Sequence, residues 1–354
     1  MKLIDRHIAV HVLGFSAIVG FALLALQSFI TLAAEADDIS ERFSFLDLAT
    51  VVAFETPSIM LVLMPMIALI GTLLGLGALA QQGELVAMRA AGISVLRIGA
   101  ATLAGGLLLA ALTLLLTDVV APAGKRASEQ LQSAEKYGTD PGVVTRPVWL
   151  RGEQEIYHVR RVESPRSVGP VTVYSLGADG GIEVISEVTR AQFSEGAWQA
   201  ENITQTHFRD DGVERKQVAH MRWPSGPAPD VLELVVLESD ALSVRGLLRL
   251  IDYLERNDLD AQQYRITLWQ KLVSPLTVLV MMLLAVPYVL GSLRDSGTGQ
   301  RLLVGVLIGV AFWVGNEVIA SSALIYRWPP MLSALSPSLI VLVIALWRLR
   351  RARE

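Results

Sequence analysis

The sequence predicts an α-helical polytopic membrane protein with six spanning helices, arranged three and three around an inserted antiparallel β domain. Three observations carry this. The 354 residues are 52% hydrophobic and only 18% charged, with a mean hydropathy of +0.47, a balance that belongs to an integral membrane protein with a soluble part. Apolar runs of about 20 residues or more, enough to cross a hydrocarbon core of ~30 Å, fall in two blocks near the ends. Between the blocks, short alternating runs are punctuated by glycine, proline and aspartate, the pattern of half-buried antiparallel strands. The expected division is 1–122 for three spans with a connecting helix at about 82–95, 123–268 for the β domain with flanking helices, and 269–354 for three more spans and a basic tail.

The first span is expected from about Ile8 to Ala34, behind a short leader holding Lys2 and Arg6. It is too long for a signal-peptide core and no cleavage site precedes Glu35, so it is read as retained. His7 and His11 stand one helical turn apart, and with no third ligand nearby they read as an interfacial pair rather than a metal site. Glu35, Asp37, Asp38, Glu41 and Asp47 form an acidic connector that includes Arg42 and ends near Glu55. A second span is expected from about Pro57 to Ala80, in which Gly71, Gly75 and Gly77 would let a neighbour approach closely. The third is expected from about Ile98 to Val120, stopping at Asp118 and Pro122.

The polar, glycine-punctuated stretch between spans two and three holds Gln81, Gln82, Glu84, Arg89 and Arg97, too polar for hydrocarbon. Glu84 to Ala91 are mostly good helix formers, Gly83 precedes them, and Gly92 sits where helices stop. Two readings are open: a helix resting on headgroups, or a platform that receives force from a soluble partner.

Beyond Ala123, Ala127 to Lys136 reads as a helix leaving the membrane. Strands are expected at Val148–Leu150, Glu155–Val162, Val171–Leu176, Ile182–Phe193, Trp198–Phe208 and Lys216–Trp223, an antiparallel sandwich or jelly roll. Val148, Ile156, Val173, Ile185, Phe193 and Trp198 are the candidate inward residues by alternation. The Ser225-Gly226-Pro227-Ala228-Pro229 run closes this region, and Ser243 to Arg256 is an amphipathic helix capped by Asp240 or Ser243. The remaining spans are expected at Leu272–Leu293, Leu302–Leu324 and Met331–Trp347. Within the fifth, Asn316 and Glu317 are costly, about 2.5–3.5 kcal/mol for an Asp-like group at a helix centre. The pair should therefore face protein, as a packing hydrogen bond, or a watery cavity.

Orientation follows from the short connectors. Lys2, Arg6, Arg89, Arg97, Arg294, Arg301, Arg348, Arg350, Arg351 and Arg353 lie on one side, and only Arg42 and Arg327 on the other, so both termini and the 82–95 helix are expected in the cytoplasm. A net charge of −4 is too small to argue for nucleic acid or for a strongly anionic ligand, and without cysteine there is neither a disulfide nor a thiolate metal site. No G-x-x-x-x-G-K-[ST], H-E-x-x-H or G-x-S-x-G is present, and Gly124-Lys125 lacks the rest of a phosphate loop. Any energy source lies on another chain.

Several stretches taken in order resemble one family. They are Leu74-Gly75-Leu76-Gly77, Leu79-Ala80-Gln81, Glu84-Leu85-Val86-Ala87-Met88-Arg89-Ala90-Ala91-Gly92, Asp240-Ala241-Leu242-Ser243, Trp269-Gln270-Lys271 and Met281 to Pro287. Gly291-Ser292-Leu293-Arg294, Gly299-Gln300-Arg301, Gly305, Pro329-Pro330 and Ser336-Pro337-Ser338 complete the set. The chain resembles the LptF/LptG permeases of lipopolysaccharide export, and LptG more than LptF. The resemblance implies an inner-membrane subunit of an ABC exporter that serves outer-membrane biogenesis, with a periplasmic β-jelly-roll. Its implied partners are an LptF-like permease subunit, an LptB-like ATPase dimer, an LptC-like single-span protein, an LptA-like periplasmic bridge, lipopolysaccharide and membrane lipids. ATP and magnesium would be bound by the ATPase and no cofactor by this chain. By resemblance Gln81, Glu84, Leu85, Met88, Arg89 and Gly92 form the ATPase-coupling stretch, with Glu84 as its acidic residue. Val148, Ile156, Val173, Ile185, Phe193 and Trp198 would line a lipid groove.

The acidic outer connector departs from familiar LptG sequences, which carry lysines there for lipid phosphates. Arg42, Lys125 and Arg126 are the substitutes on offer, and Lys125 and Arg126 read equally as interfacial caps of the third span. Asn316 and Glu317 are the gate candidates. Two other readings stay open: an LptF-like paralogue, and a membrane-anchored envelope assembly factor that transports nothing.

Overall fold

The computed structural model describes residues 3–132, 134, 147–152, 154–164, 166–177, 180–209, 212–223, 229, 232, 239, 241–291 and 297–351. Of the stretch predicted as a helix up to Lys136, Ser133, Glu135 and Lys136 lie outside them, as do the 225–228 run, Asp240 and Arg294. Contacts divide the chain into two units, one made of Met1–Ala36, Val52–Lys125 and Arg265–Glu354, the other of Asp37–Val51 and Arg126–Tyr264.

The membrane unit holds helices α1 (Leu3–Ala34), most of α2 (Phe45–Gln81), α3 (Glu84–Ala90) and α4 (Val95–Leu115). After α4 comes a π-helical turn at Leu116–Val120 and then α5 (Ala121–Leu131). Among the described residues, six helical stretches are long and apolar enough to span.

Several boundaries differ from expectation: the fourth span begins at Gln262 instead of Leu272, Glu155–Val162 divides into two strands, and two further cases have a clear local cause. α2 starts at Phe45, twelve residues ahead of Pro57, because Ser44 and Asp47 form a reciprocal cap: the Ser44 amide donates to Asp47 Oδ2 at 2.9 Å, and the Asp47 amide to Ser44 Oγ at 3.3 Å. The third span does not stop at Pro122. The π turn opens the helical ladder there, and a proline at the second position of α5 finds the missing amide already tolerated.

α2 packs on α1 with almost no side chain between them. A methyl group added at Gly71 would land on the Ser16 backbone and hydroxyl, and one at Gly75 would lie 2.9 Å from Val12 Cα. This is the small-residue contact that lets spanning helices gain dispersion energy where lipid supplies no hydrophobic drive.

Among the described residues the other unit holds eight antiparallel strands joined in one hydrogen-bonded network: β1 (Val148–Arg151), β2 (Glu155–Val159), β3 (Val162–Ser164), β4 (Ser167–Val168), β5 (Val171–Leu176), β6 (Ile182–Ser194), β7 (Ala197–Arg209) and β8 (Gly212–Trp223). The path runs β1-β2-β5-β6-β7-β8, with β4 and β3 continuing from β6. Helix α6 (Val244–Arg256) follows, capped by Ser243, whose Oγ accepts from the Gly246 amide at 3.1 Å. Its Tyr253 packs against the β core and donates to the Arg151 carbonyl at 3.0 Å, and burial pushes that phenol above its usual range.

Alternation holds along each strand until one row. Val188, Ile203 and Val218 are cross-strand neighbours, as are Ala191, Ala200 and Met221, and both triplets line or pack against one core. Three residues separate the triplets along every strand, so the side-chain phase switches in all three strands together, at a row where Asn202 takes φ 50°. The strands bend there and both halves bury the same face.

The chain then returns to the membrane unit as α7 (Gln262–Leu290), α8 (Thr298–Ile325) and α9 (Pro330–Arg351). Thr277 and Ser338 share a 2.7 Å hydroxyl bond between α7 and α9. Gly305 and Gly309 of α8 face Ile70, Leu73 and Met66 of α2, and Arg301 lies buried over Gly77, on the last turns of α2. A cation beside a helix C-terminus meets the negative end of its dipole.

Candidate functional site

The stretch between α2 and α4 is built by two glycines. Gly83, at φ 77°, ends α2 with its amide on the Ala80 carbonyl (3.0 Å) and also opens α3. Gly92, at φ 85°, closes α3: its amide donates to Arg89 O and the Ile93 amide to Met88 O, both at 3.0 Å. This paired bonding defines a Schellman end, and its usual apolar contact is available because Met88 and Ile93 both pack on the membrane core. Ser94 then caps α4 by accepting from the Arg97 amide. A seven-residue helix is thus stopped at both ends by conformations that favour glycine.

The faces of α3 are unequal. Leu85 is buried and Met88 half-buried, so these two candidates anchor the helix to the spanning bundle. Val86, Ala87, Arg89 and Ala90 are exposed, as are Gln81 and Gly92. Glu84, at the first helical position, turns toward α1, where His7 Nε2 donates to its Oε2 at 2.7 Å. His11 Nδ1 donates to the His7 carbonyl at 3.2 Å, and the two rings lie 4.3 Å apart. On the same first turns of α1, Asp5 pairs with Arg97 at 3.4 Å. Reading the sequence missed both links. The spacing of His7 and His11 was visible, but nothing local connects residues 77 or 92 positions apart.

Of the basic candidates, Lys125 lies 3.2 Å from Glu55, where the helix run after the π turn passes α2. A methyl group at Gly124 would strike the Phe54 carbonyl, so this crossing is close. Lys125 is thus matched by one of the acids that made the connector look unsuited to anions. Arg126 is half-buried and Arg42 exposed.

In α8, Asn316 is half-buried and Glu317 is exposed. The side of α8 that meets α2 carries Gly305 and Gly309, and Glu317 lies off it, so that contact does not supply the protein or watery cavity expected to face it. A small apolar groove of about 330 Å³ opens beside Gly315, lined by α7, α8 and α9 residues such as Leu284, Phe312 and Val341.

In the β unit, Val148, Val173 and Trp198 are buried in the core and Phe193 packs against it, its ring edge-on to Trp198 at 5.5 Å. Ile156 and Ile185 lie on the opposite face, a correction with two causes. Register pairs Tyr157, not Ile156, with the inward Val173. Ile185 and Phe193 share a parity, but the phase switch lies between them. The opposite face carries an aromatic row in which Trp149 stacks on His158 and Tyr174, centroids 4.2 and 6.1 Å away. The core face holds one polar knot, Glu155, which accepts from Tyr157 and from Trp223 Nε1.

Among the described residues no three of His, Asp and Glu are placed to hold a metal ion. The chain matches the family model described as lipopolysaccharide export system permease LptF/LptG over residues 6–351. It is 30% identical over 290 residues to the lipopolysaccharide export system permease protein LptG of Escherichia coli K12, covering 81% of each chain. It is 29% identical over 292 residues, 82% of each chain, to the protein of the same name in Haemophilus influenzae.

Proposed function

This chain belongs to the LptF/LptG family of lipopolysaccharide export permeases, most like LptG, and on that premise we propose how its parts divide the work. It is a multi-pass inner-membrane permease subunit of lipopolysaccharide export. In our reading it works in an ABC exporter, beside a second, LptF-like permease, on an ATPase dimer that binds ATP and magnesium. An LptC-like single-span protein and an LptA-like bridge complete the path. Both termini and α3 face the cytoplasm and the β domain faces the periplasm, as the asymmetry of basic residues favours.

The observation that carries this reading is α3 itself, a helix of seven residues stopped by Gly83 and Gly92 between two spanning helices, anchored by Leu85 and Met88 and exposing Val86, Arg89 and Ala90. Such an element is rigid, shallow and fastened to the bundle, the qualities needed to accept a push from a soluble partner. Lipid would be drawn between spans, and the β domain would receive it. Acyl chains leave a bilayer at tolerable cost only into another apolar surface. Val148, Val173, Phe193 and Trp198 are the groove candidates that the core face retains.

The test is purification with the neighbouring membrane and ATPase subunits, followed by identification of bound lipid. Glu84→Ala should still insert but lose ATPase co-purification and lipid release, since a desolvated charge-assisted contact is worth about 1.5–3 kcal/mol. Unchanged co-purification with unchanged release would overturn the docking role of α3. An assembly factor would bring down no ATPase at all.

A further inference from the structure

The first two turns of α1 touch the α3 stretch at both of its ends. Asp5 meets Arg97 at the start of α4, and His7 meets Glu84 at the start of α3. α1 is held firmly behind these contacts: its Val12 and Ser16 lie in the backbone groove of Gly71 and Gly75, and Ala9 faces Gly105 of α4. A displacement of α3 therefore reaches α1 directly through His7–Glu84, and again through Asp5–Arg97 at the start of α4.

The two links differ in kind. Asp5–Arg97 joins an acid to a guanidinium at 3.4 Å, with the Asp5 side chain largely shielded from solvent. His7–Glu84 joins two half-exposed side chains, and pairs in such surroundings hold weakly. One of its members is also the carboxylate assigned above to the partner. We propose that His7 is a positioning residue for coupling: it holds Glu84 against α1 until a cation of the docked ATPase takes that carboxylate, and this exchange frees the first turns of α1 to move about the Asp5–Arg97 pivot. The geometry motivates the exchange. His7 Nε2 occupies one carboxylate oxygen at 2.7 Å along a line toward α1, so a guanidinium that takes both oxygens must displace it. The His11 ring bonds the His7 carbonyl one turn further along α1. The sequence offers a further convenience, since the absence of cysteine lets single labels be placed at will.

This inference rests on the docking role of α3, and the two fail differently. The measurements are ATPase affinity and lipid released per ATP hydrolysed, made on the purified complex with lipopolysaccharide in nanodiscs. His7→Leu removes the competitor, so the ATPase should bind as tightly as before or several-fold more tightly, while lipid released per ATP falls several-fold. His7→Gln keeps an N–H for Glu84 and should recover much of the loss. A merely structural histidine would give weaker binding and lower yield together, without rescue by glutamine. A wild-type ratio of lipid to ATP in assembled His7→Leu complexes would overturn the exchange. Should His7→Leu fail to assemble, His7→Gln with wild-type affinity and a ratio no better than that of an uncoupled Asp5→Ala control would overturn it as well. Glu84→Gln separates the premise: retained docking and coupling in that variant would remove the docking role itself.

Discussion

α2 and α8 are both apolar helices of similar hydropathy, yet the bundle treats them in opposite ways. More than half of the most apolar stretch of α2 is buried inside the chain, against 11% of that of α8. α2 is the hub: α1 settles on its glycines, and α8 meets it at Arg301, Gly305 and Gly309. The rest of α8 presents Leu307, Val310, Val314 and Val318 outward, with Glu317 among them. Hydropathy says that a helix spans but not what it spans against. Small residues at helical spacing locate the protein-facing side, and an ionisable residue off that side marks where something other than acyl chains should lie.

The contrast can be broken most forcefully at Gly71. Gly71→Leu forces a side chain into the backbone of α1, an overpacking with no rotamer escape. It should cost about 3 kcal/mol or more, seen as loss of monodisperse protein in detergent. Next, Leu73→Ala opens a cavity in the fully buried seam of α2 and should cost about 2–5 kcal/mol, read as a fall in thermal midpoint. Glu317 sharpens the comparison from the other side. Glu317→Leu should leave the isolated chain as stable as before and lower the yield of the two-permease complex several-fold. Glu317→Gln should assemble and transport; assembly without lipid extraction would implicate the charge itself. Smallest is Leu307→Ala, within about 0.5 kcal/mol in the isolated chain. A loss there comparable to Leu73→Ala would mean that α8 is covered after all.

Much of this organisation was legible along the chain. The order of spans, the short helix between two glycines and the strand at Val171–Leu176 follow from periodicity and breakers that act within a few residues. Other errors were local too, but needed the right pattern: Ser44-x-x-Asp47 signals the true start of α2, and it was passed over because acidic residues crowd the connector. Ile185 was misjudged because parity was carried past a bend that only three strands together reveal. The links from His7 to Glu84 and Asp5 to Arg97 could not be read at all, since they exist only once α1 lies against α2 and α4.

The π turn at Leu116–Val120 has a bearing on how this helix came to be and how it can be edited. One extra residue in a turn advances everything beyond it by about 100° around the axis. Removing Val119 would let an ordinary α-helical ladder close, and would swing Lys125 about a quarter-turn away from Glu55. A deletion of a single residue is therefore a rotation, not a shortening, and re-aims each side chain from Ala121 to Leu131 while leaving its chemistry alone. An insertion kept in a lineage at such a point acts as an azimuthal setting, and related chains that lack it should carry their outer basic residues at a different step of the helix.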